Sequence, residues 1–178
     1  NVGAGESRNI AVKACKGNYV AFIDADDLWL PKKLKKQVSF MEKNKISISH
    51  TSYNIIDEFS KKISFRKAKN LKYKDLIYSC DIGLSTVMIK KKLLLKNHFP
   101  KLKTKEDYVL WLKLSKKGHI FYSINEKLVL WRQTPNSLSS SILQKLFDGF
   151  RVYRTYLKFS FVKSLYHLLF LSFNYLKK

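Results

Sequence analysis

The 178-residue sequence predicts an α/β fold: a Rossmann-like, doubly wound sheet with helices on both faces, followed by an amphipathic helical tail. Three observations predict it. The apolar run Tyr19 to Ile23 ends abruptly in Asp24, Asp26 and Asp27, as a buried strand does where it opens into a ligand-binding loop. Segments with helical periodicity flank short β-branched and aromatic runs on either side of it. From Ile142 onward Phe, Leu and Tyr dominate, interrupted by single cations such as Lys145, Arg151 and Lys158.

Taken in order, residues 7–16 read as a helix with Ile10, Ala11, Ala14 and Cys15 on its apolar face and Gly17 as its stop. Tyr19 to Ile23 reads as an inner strand of the sheet. Pro31 suits the first turn of a second helix, residues 31–43, whose apolar face would be Leu34, Val38 and Met41. Its Lys-rich face is expected in solvent. Residues 46–50 alternate like a strand, and 57–74 read as a loop or irregular hairpin. A strand over 85–89 and a short helix over 90–97 follow, then a turn at Pro100. Thr104 with Asp107 three residues on has the pattern of a capping box for a helix ended by Gly118. Residues 119–124 and 128–131 read as two strands. The tail's longest charge-free run, Ser164 to Leu176, falls short of the roughly 20 residues that span a bilayer, so it reads as an interfacial helix.

The charge balance narrows the partners. Lys and Arg number 35 against 13 Asp and Glu, a net charge of +22, so the chain is attracted to anionic surfaces or phosphorylated substrates. Arginine occurs only at Arg8, Arg66, Arg132, Arg151 and Arg154, and sequence-specific nucleic-acid readers depend on arginine forks. No specific nucleic-acid partner is expected. Cys15 and Cys80 lack metal-ligand spacing, and no signal peptide opens the chain, which points to a reduced, cytoplasmic compartment.

In so basic a chain, Asp24-Ala25-Asp26 is unlike a generic solvated surface. Two hard carboxylates suit Mn²⁺ or Mg²⁺, which complete their shells with substrate phosphate oxygens. The plainer alternative is a polar loop with Asp27 as a helix cap. His50 is more readily a satisfied core histidine than a ligand.

The order Asn1-Val-Gly3, Ser7-Arg8-Asn9, Gly17, a strand, Asp24-Ala25-Asp26-Asp27, then Glu106-Asp107 with Leu110-Trp111, then Trp131-Arg132 running to Ser139, resembles the family 2 glycosyltransferases. Two positions depart from the family pattern: Trp131 stands for Tyr, and Thr134 for His. The resemblance implies a GT-A sheet and inverting transfer of a sugar from a nucleotide-diphosphate sugar to a hydroxyl acceptor. It implies Asp26, helped by Asp24, as holder of Mn²⁺ or Mg²⁺. Arg8, Asn9, Asp24, Ala25, Asp26 and Arg132 would contact the donor. Asp107 would be the general base, ionised at a helix start, and Glu106 would help bind the acceptor. Trp111 would be an acceptor platform or core.

Family members open with a strand, a helix and a second strand. The expectation is therefore a C-terminal fragment, inactive alone, with residues 1–140 the catalytic part and 141–178 the tail. By the same analogy the acceptor is a saccharide or lipid-linked saccharide of bacterial-type surface polysaccharide synthesis. The protein would sit on an anionic membrane, peripheral to its cytoplasmic face. The rival expectation is a non-catalytic basic module that binds membrane surfaces.

Overall fold

Strand β3 is the axis of the computed structural model, which describes residues 2–134 and 141–176. The elements in chain order are α1 (Ala4–Ala14), β1 (Tyr19–Ala21), β2 (Leu28–Trp29), α2 (Lys33–Lys43), β3 (Ile48–Ile56), β4 (Lys62–Arg66), α3 (Tyr73–Leu76) and a 3₁₀ turn (Leu84–Thr86). There follow β5 (Met88–Lys90), α4 (Lys91–Leu95), α5 (Glu106–Lys116), β6 (Tyr122–Arg132), α6 (Ile142–Arg151), a π-helical turn (Val152–Tyr156) and α7 (Phe161–Leu176).

The sheet order is β1-β5-β3-β6-β2, with β4 pairing β3 as a hairpin. Only β3 and β6 run parallel; the other pairs are antiparallel. The inner strands are thus β5, β3 and β6, and β1 lies at one end of the order, a correction to the expected inner placement of Tyr19 to Ile23. Periodicity and apolarity locate a strand but do not rank strands within a sheet. β3 is inner although it carries buried Ser49, His50, Thr51 and Ser52. Its polar groups find partners: His50 Nε2 pairs with the Lys69 carbonyl at 2.9 Å, and Ser52 Oγ accepts from Ala68 N–H at 2.9 Å. Burial lowers the His50 pKa to about 4, which keeps the ring neutral.

The two strands expected over 119–124 and 128–131 are one. Thr51 faces Ile124, Ser52 faces Lys127 and Tyr53 faces Val129, so Asn125 and Glu126 bulge out of a continuous β6.

The first two helices bury a different face from the expected one. In α1 the buried residues are Gly5, Asn9 and Val12, while Ile10 is exposed. In α2 they are Lys33, Gln37 and Met41, with Leu34 and Val38 exposed. Polar contacts outrank the apolar stripe in both. Gln37 Nε2 donates to Thr86 O at 3.0 Å and to Ser49 Oγ at 3.1 Å. Lys33 Nζ donates to Gln37 Oε1 at 2.6 Å and lies 4.1 Å from the Trp29 ring centroid. Burial lowers the Lys33 pKa to about 7. Helix α1 comes very close to the loop after α4: a Cβ on Gly5 would stand 2.7 Å from Pro100 O.

The tail packs on the domain. Val152, Tyr153, Leu157 and Leu171 join the main core with Val20, Ile48 and Leu110. Tyr153 Oη donates to Ile77 O at 2.8 Å and lies 3.1 Å from Tyr108 Oη. The other face stays open, with Ile142, Leu143, Phe147, Phe161, Val162 and Leu169 exposed. No helix among the described residues is long and apolar enough to cross a membrane.

Candidate active site

β1 delivers the chain to the acidic loop. Phe22 anchors it, edge-on to Phe99 with ring centroids 5.4 Å apart. Asp24 N–H donates to Ser85 Oγ at 3.0 Å, and Trp29 Nε1 donates to Ser85 O at 2.8 Å. Asp27 N–H closes a turn onto Asp24 O at 3.1 Å. The loop is then stitched to the end of β6: Arg132 N–H donates to Asp27 Oδ1 at 2.8 Å, and Arg132 Nε to Asp26 O at 2.9 Å. Asp24 is half-exposed, Ala25 and Asp26 are exposed, and Asp27 is buried.

Asp27 is therefore not a helix cap; α2 starts six residues later, after Lys32. Its carboxyl is pushed up to about 6, chiefly by burial. Arg132, expected at the diphosphate, spends its remaining donors nearby. Nη1 donates to Asp57 O at 2.8 Å and to Glu58 O at 2.9 Å, and Nη2 to Ser60 Oγ at 3.1 Å. It fastens three segments together at the rim of the loop. Beyond Thr134, residues 135–139 of the predicted motif lie outside the described residues.

The second acidic pair opens α5. Lys105, in the left-handed region at φ 64°, turns the chain so that Glu106 and Asp107 form the first helical turn. Thr104 does not cap this helix, another correction to the expected pattern. Its N–H and Oγ1 both donate, at 3.0 Å, to Asp148 Oδ2 on α6. Asp107 Oδ1 accepts from Tyr108 N–H at 2.7 Å. The helix start favours ionised Asp107, but burial and the neighbouring Glu106 outweigh it and raise the carboxyl, against Arg8 and Lys105.

Arg8 joins the two acidic segments. Its Nη2 pairs with Asp24 Oδ1 at 2.8 Å, and its Nη1 donates to Glu106 Oε1. Asp107 also acts on its charge. Asp24 and the Glu106–Asp107 pair thus share one guanidinium. That juxtaposition was not readable from spacing; only the order of the motifs hinted at it.

Two expected contact residues lie in the interior. Asn9 Nδ2 donates to Phe99 O at 3.0 Å and to Glu6 Oε2 at 3.1 Å, while its Oδ1 accepts from Phe99 N–H at 2.9 Å. Asn9 is buried, and its amide secures α1 to the 99–100 turn. Trp111 is 0% exposed and packs edge-on against Phe121 and Phe99, at 5.3 and 6.3 Å between centroids. A ring with no open face cannot stack on a sugar, so Trp111 is core.

Among the described residues no cluster of three or more His, Cys, Asp or Glu could hold a metal unaided. The pair Asp24 and Asp26 nonetheless fits a Mg²⁺ or Mn²⁺ ion that takes its other ligands from phosphate oxygens. Both side chains reach solvent, and the donor set is hard oxygen.

The family model described as glycosyl transferase family 2 matches residues 1–101. TuaG of Bacillus subtilis (strain 168), a glycosyltransferase provisionally assigned to teichuronic acid biosynthesis, is 34% identical over 92% of this chain and 66% of its own length. The Escherichia coli UDP-Glc:alpha-D-GlcNAc-diphosphoundecaprenol beta-1,3-glucosyltransferase WfgD is 37% identical over 81% of this chain and 57% of its own. The chain thus spans roughly three fifths to two thirds of these relatives' lengths. In fold it is similar to S. aureus TarS 1–349 in complex with UDP-GlcNAc, at TM-score 0.66 and 19% identity, over 94% of this chain and 51% of that one.

Proposed function

The chain belongs to glycosyl transferase family 2, and we propose that it carries the metal-binding loop and the acceptor base of an inverting sugar transferase. The donor is a nucleotide-diphosphate sugar, and the acceptor is a hydroxyl of a lipid-linked saccharide in surface polysaccharide assembly. One observation carries the reading: Arg8 bridges Asp24 and Glu106, which brings an acidic loop and an acidic helix start together on one guanidinium.

Each residue has a part in a single displacement. Asp24 and Asp26 hold Mn²⁺ or Mg²⁺, which when bound offsets the charge of the diphosphate. Asp107 takes the proton of the acceptor hydroxyl. Its carboxyl, raised by burial and by Glu106, is a better base than an exposed aspartate. The hydroxyl oxygen bonds to the anomeric carbon as the bond to the diphosphate oxygen breaks on the opposite face, which inverts that centre. Arg8, already on the acidic loop, supplies positive charge to the departing diphosphate. Glu106 holds Arg8 and borders the acceptor.

The tail's open apolar face, beside so many lysines, supports a seat on the anionic cytoplasmic face of a membrane, where a lipid-linked acceptor resides. WfgD, by its name, acts on a diphosphoundecaprenol-linked sugar.

The test is turnover of UDP-sugars with Mn²⁺ and a lipid-linked saccharide, in a protein of the relatives' length that carries this chain. Transfer that depends on Mn²⁺ and is lost in Asp107→Asn supports the reading; transfer indifferent to Asp107 sinks it. The same open tail face favours the rival reading, a non-catalytic membrane module. That one gains if vesicle binding persists in Asp26→Ala and Asp107→Ala and no metal-dependent nucleotide binding occurs.

A further inference from the structure

Away from these acids, a groove of about 720 Å³ opens between the carboxyl end of α5, the loop after α4 and the tail. Lys96 and Lys101 line it from the loop, Lys113 and Lys116 from α5, and Lys117 from just beyond it. Tyr156, from the π-helical turn, forms part of its wall, with the Lys113 ammonium 5.7 Å from its ring centroid. No Asp or Glu is among the lining residues.

The bland explanation covers only part of this. Lysines in the last turn of a helix answer its macrodipole, which accounts for Lys113 and Lys116. Lys96 and Lys101 belong to another segment, yet they converge on the same space. Lys117 Nζ is held by Asn97 Oδ1 at 2.5 Å, which fixes the loop against the helix end. Burial and Lys117 both disfavour the charge on Lys113. Like charges gathered in a recess without a carboxylate cost free energy that a bound anion would recover.

The tail indicates which anion. From Leu157 in the groove wall to Phe161 is four residues, a span of at most about 14 Å. Phe161 and Val162 are 63% and 76% exposed, and Leu169 and Phe173 on the same helix are also open. A phosphate recess within that distance of an exposed apolar helix matches a ligand with an anionic head and an apolar tail.

We propose that this groove seats the phosphate headgroup of an anionic lipid while α7 lies in the apolar boundary beside it. The proposal deepens the membrane-surface part of the function proposed above and is independent of sugar transfer. A failed vesicle test would overturn it and leave turnover untouched, and a failed turnover test would leave vesicle binding untouched.

Sedimentation of the 178-residue chain with vesicles of phosphatidylcholine, with or without phosphatidylglycerol, provides the test. The groove variant is Lys101→Gln/Lys113→Gln/Lys116→Gln. The control variant is Lys35→Gln/Lys43→Gln/Lys67→Gln, at exposed sites outside the groove, so both lose the same charge. Binding should require phosphatidylglycerol. The groove variant should partition about 10- to 100-fold more weakly, and the control should stay within about threefold of the parent chain. Should the triple groove variant misfold, Lys101→Gln/Lys116→Gln, at two exposed sites, is expected to lose about tenfold.

Inorganic phosphate should displace the protein from vesicles more than chloride of matched ionic strength. Equal losses in groove and control variants would reduce the effect to diffuse charge and overturn the proposal. A groove that binds free phosphate in a chain with no preference for phosphatidylglycerol vesicles would overturn the lipid assignment.

Discussion

On the loop side of Arg8 the acids face water: Asp24 has 38% of its side chain exposed, and Asp26 is exposed too. On the helix side Glu106 is 8% exposed, and Asp107 has its carboxyl raised by burial. The difference suits their proposed tasks. A cation site that trades ligands with an incoming diphosphate works best with ionised, hydrated carboxylates. A base works best when part of its hydration is withheld. Arg8 belongs to both sides, paired with Asp24 on one and Glu106 on the other.

The largest effect that would break this contrast is on turnover. Asp107→Asn is expected to lower kcat by about 10²- to 10⁴-fold, with the KM for the nucleotide sugar within about twofold, measured by steady-state kinetics. A comparable rise in donor KM would assign Asp107 to donor binding with the loop acids.

Arg8→Ala should be the next largest. It strands buried Glu106 without its partner and is expected to cost about 2 to 3 kcal/mol in urea unfolding at pH 7, discounted for the 20% exposure of Arg8. Adding Glu106→Gln should restore most of the loss.

Beneath the loop, Lys33 supplies a pH signature. Its folded-state pKa, about 7, lies below the ordinary 10.5, so folding penalises the protonated form. Stability should be lowest below pH 7 and rise as the pH climbs toward the unfolded value. The gain from pH 7 to about 8.5 is expected to be about 2 kcal/mol. Lys33→Met should abolish that rise in thermal or urea unfolding. The smallest effect belongs to Asp24→Asn, at most about 1 kcal/mol in urea, because its ion pair with Arg8 is part-solvated. A cost equal to that of Arg8→Ala would erase the contrast between the two sides.

How much of this was legible depended on range. Asp24-Ala25-Asp26 and Glu106-Asp107 stood out locally, and the structure places both motifs at element ends, as their spacing predicted. Helix α5 is buried nearly all round, which decides Trp111, open in the sequence between acceptor platform and core, in favour of core. Helices α1 and α2 misled because Asn9, Lys33 and Gln37 are buried for the sake of bonds to residues up to 90 positions away. Periodicity weighs side chains by polarity and has no knowledge of such partners. Arg132 was singled out by motif, but its bonds to Asp57, Glu58 and Ser60 depend on a hairpin that had no clear signature. The Asp148–Thr104 clamp was invisible for the same reason: it ties the tail to the start of α5 across 44 residues.

The missing side chain of Gly5 acts as a gauge. With a hydrogen where other residues carry carbon, α1 rests close to the carbonyl of Pro100, and at that separation the arginine one turn later touches the carboxylates of Asp24 and Glu106 at once. A single methyl at this position would wedge the helix outward against unyielding main chain. The carboxylates would all remain, with Glu106 Cγ 3.5 Å from the new methyl, but the distance between the acids would no longer be held.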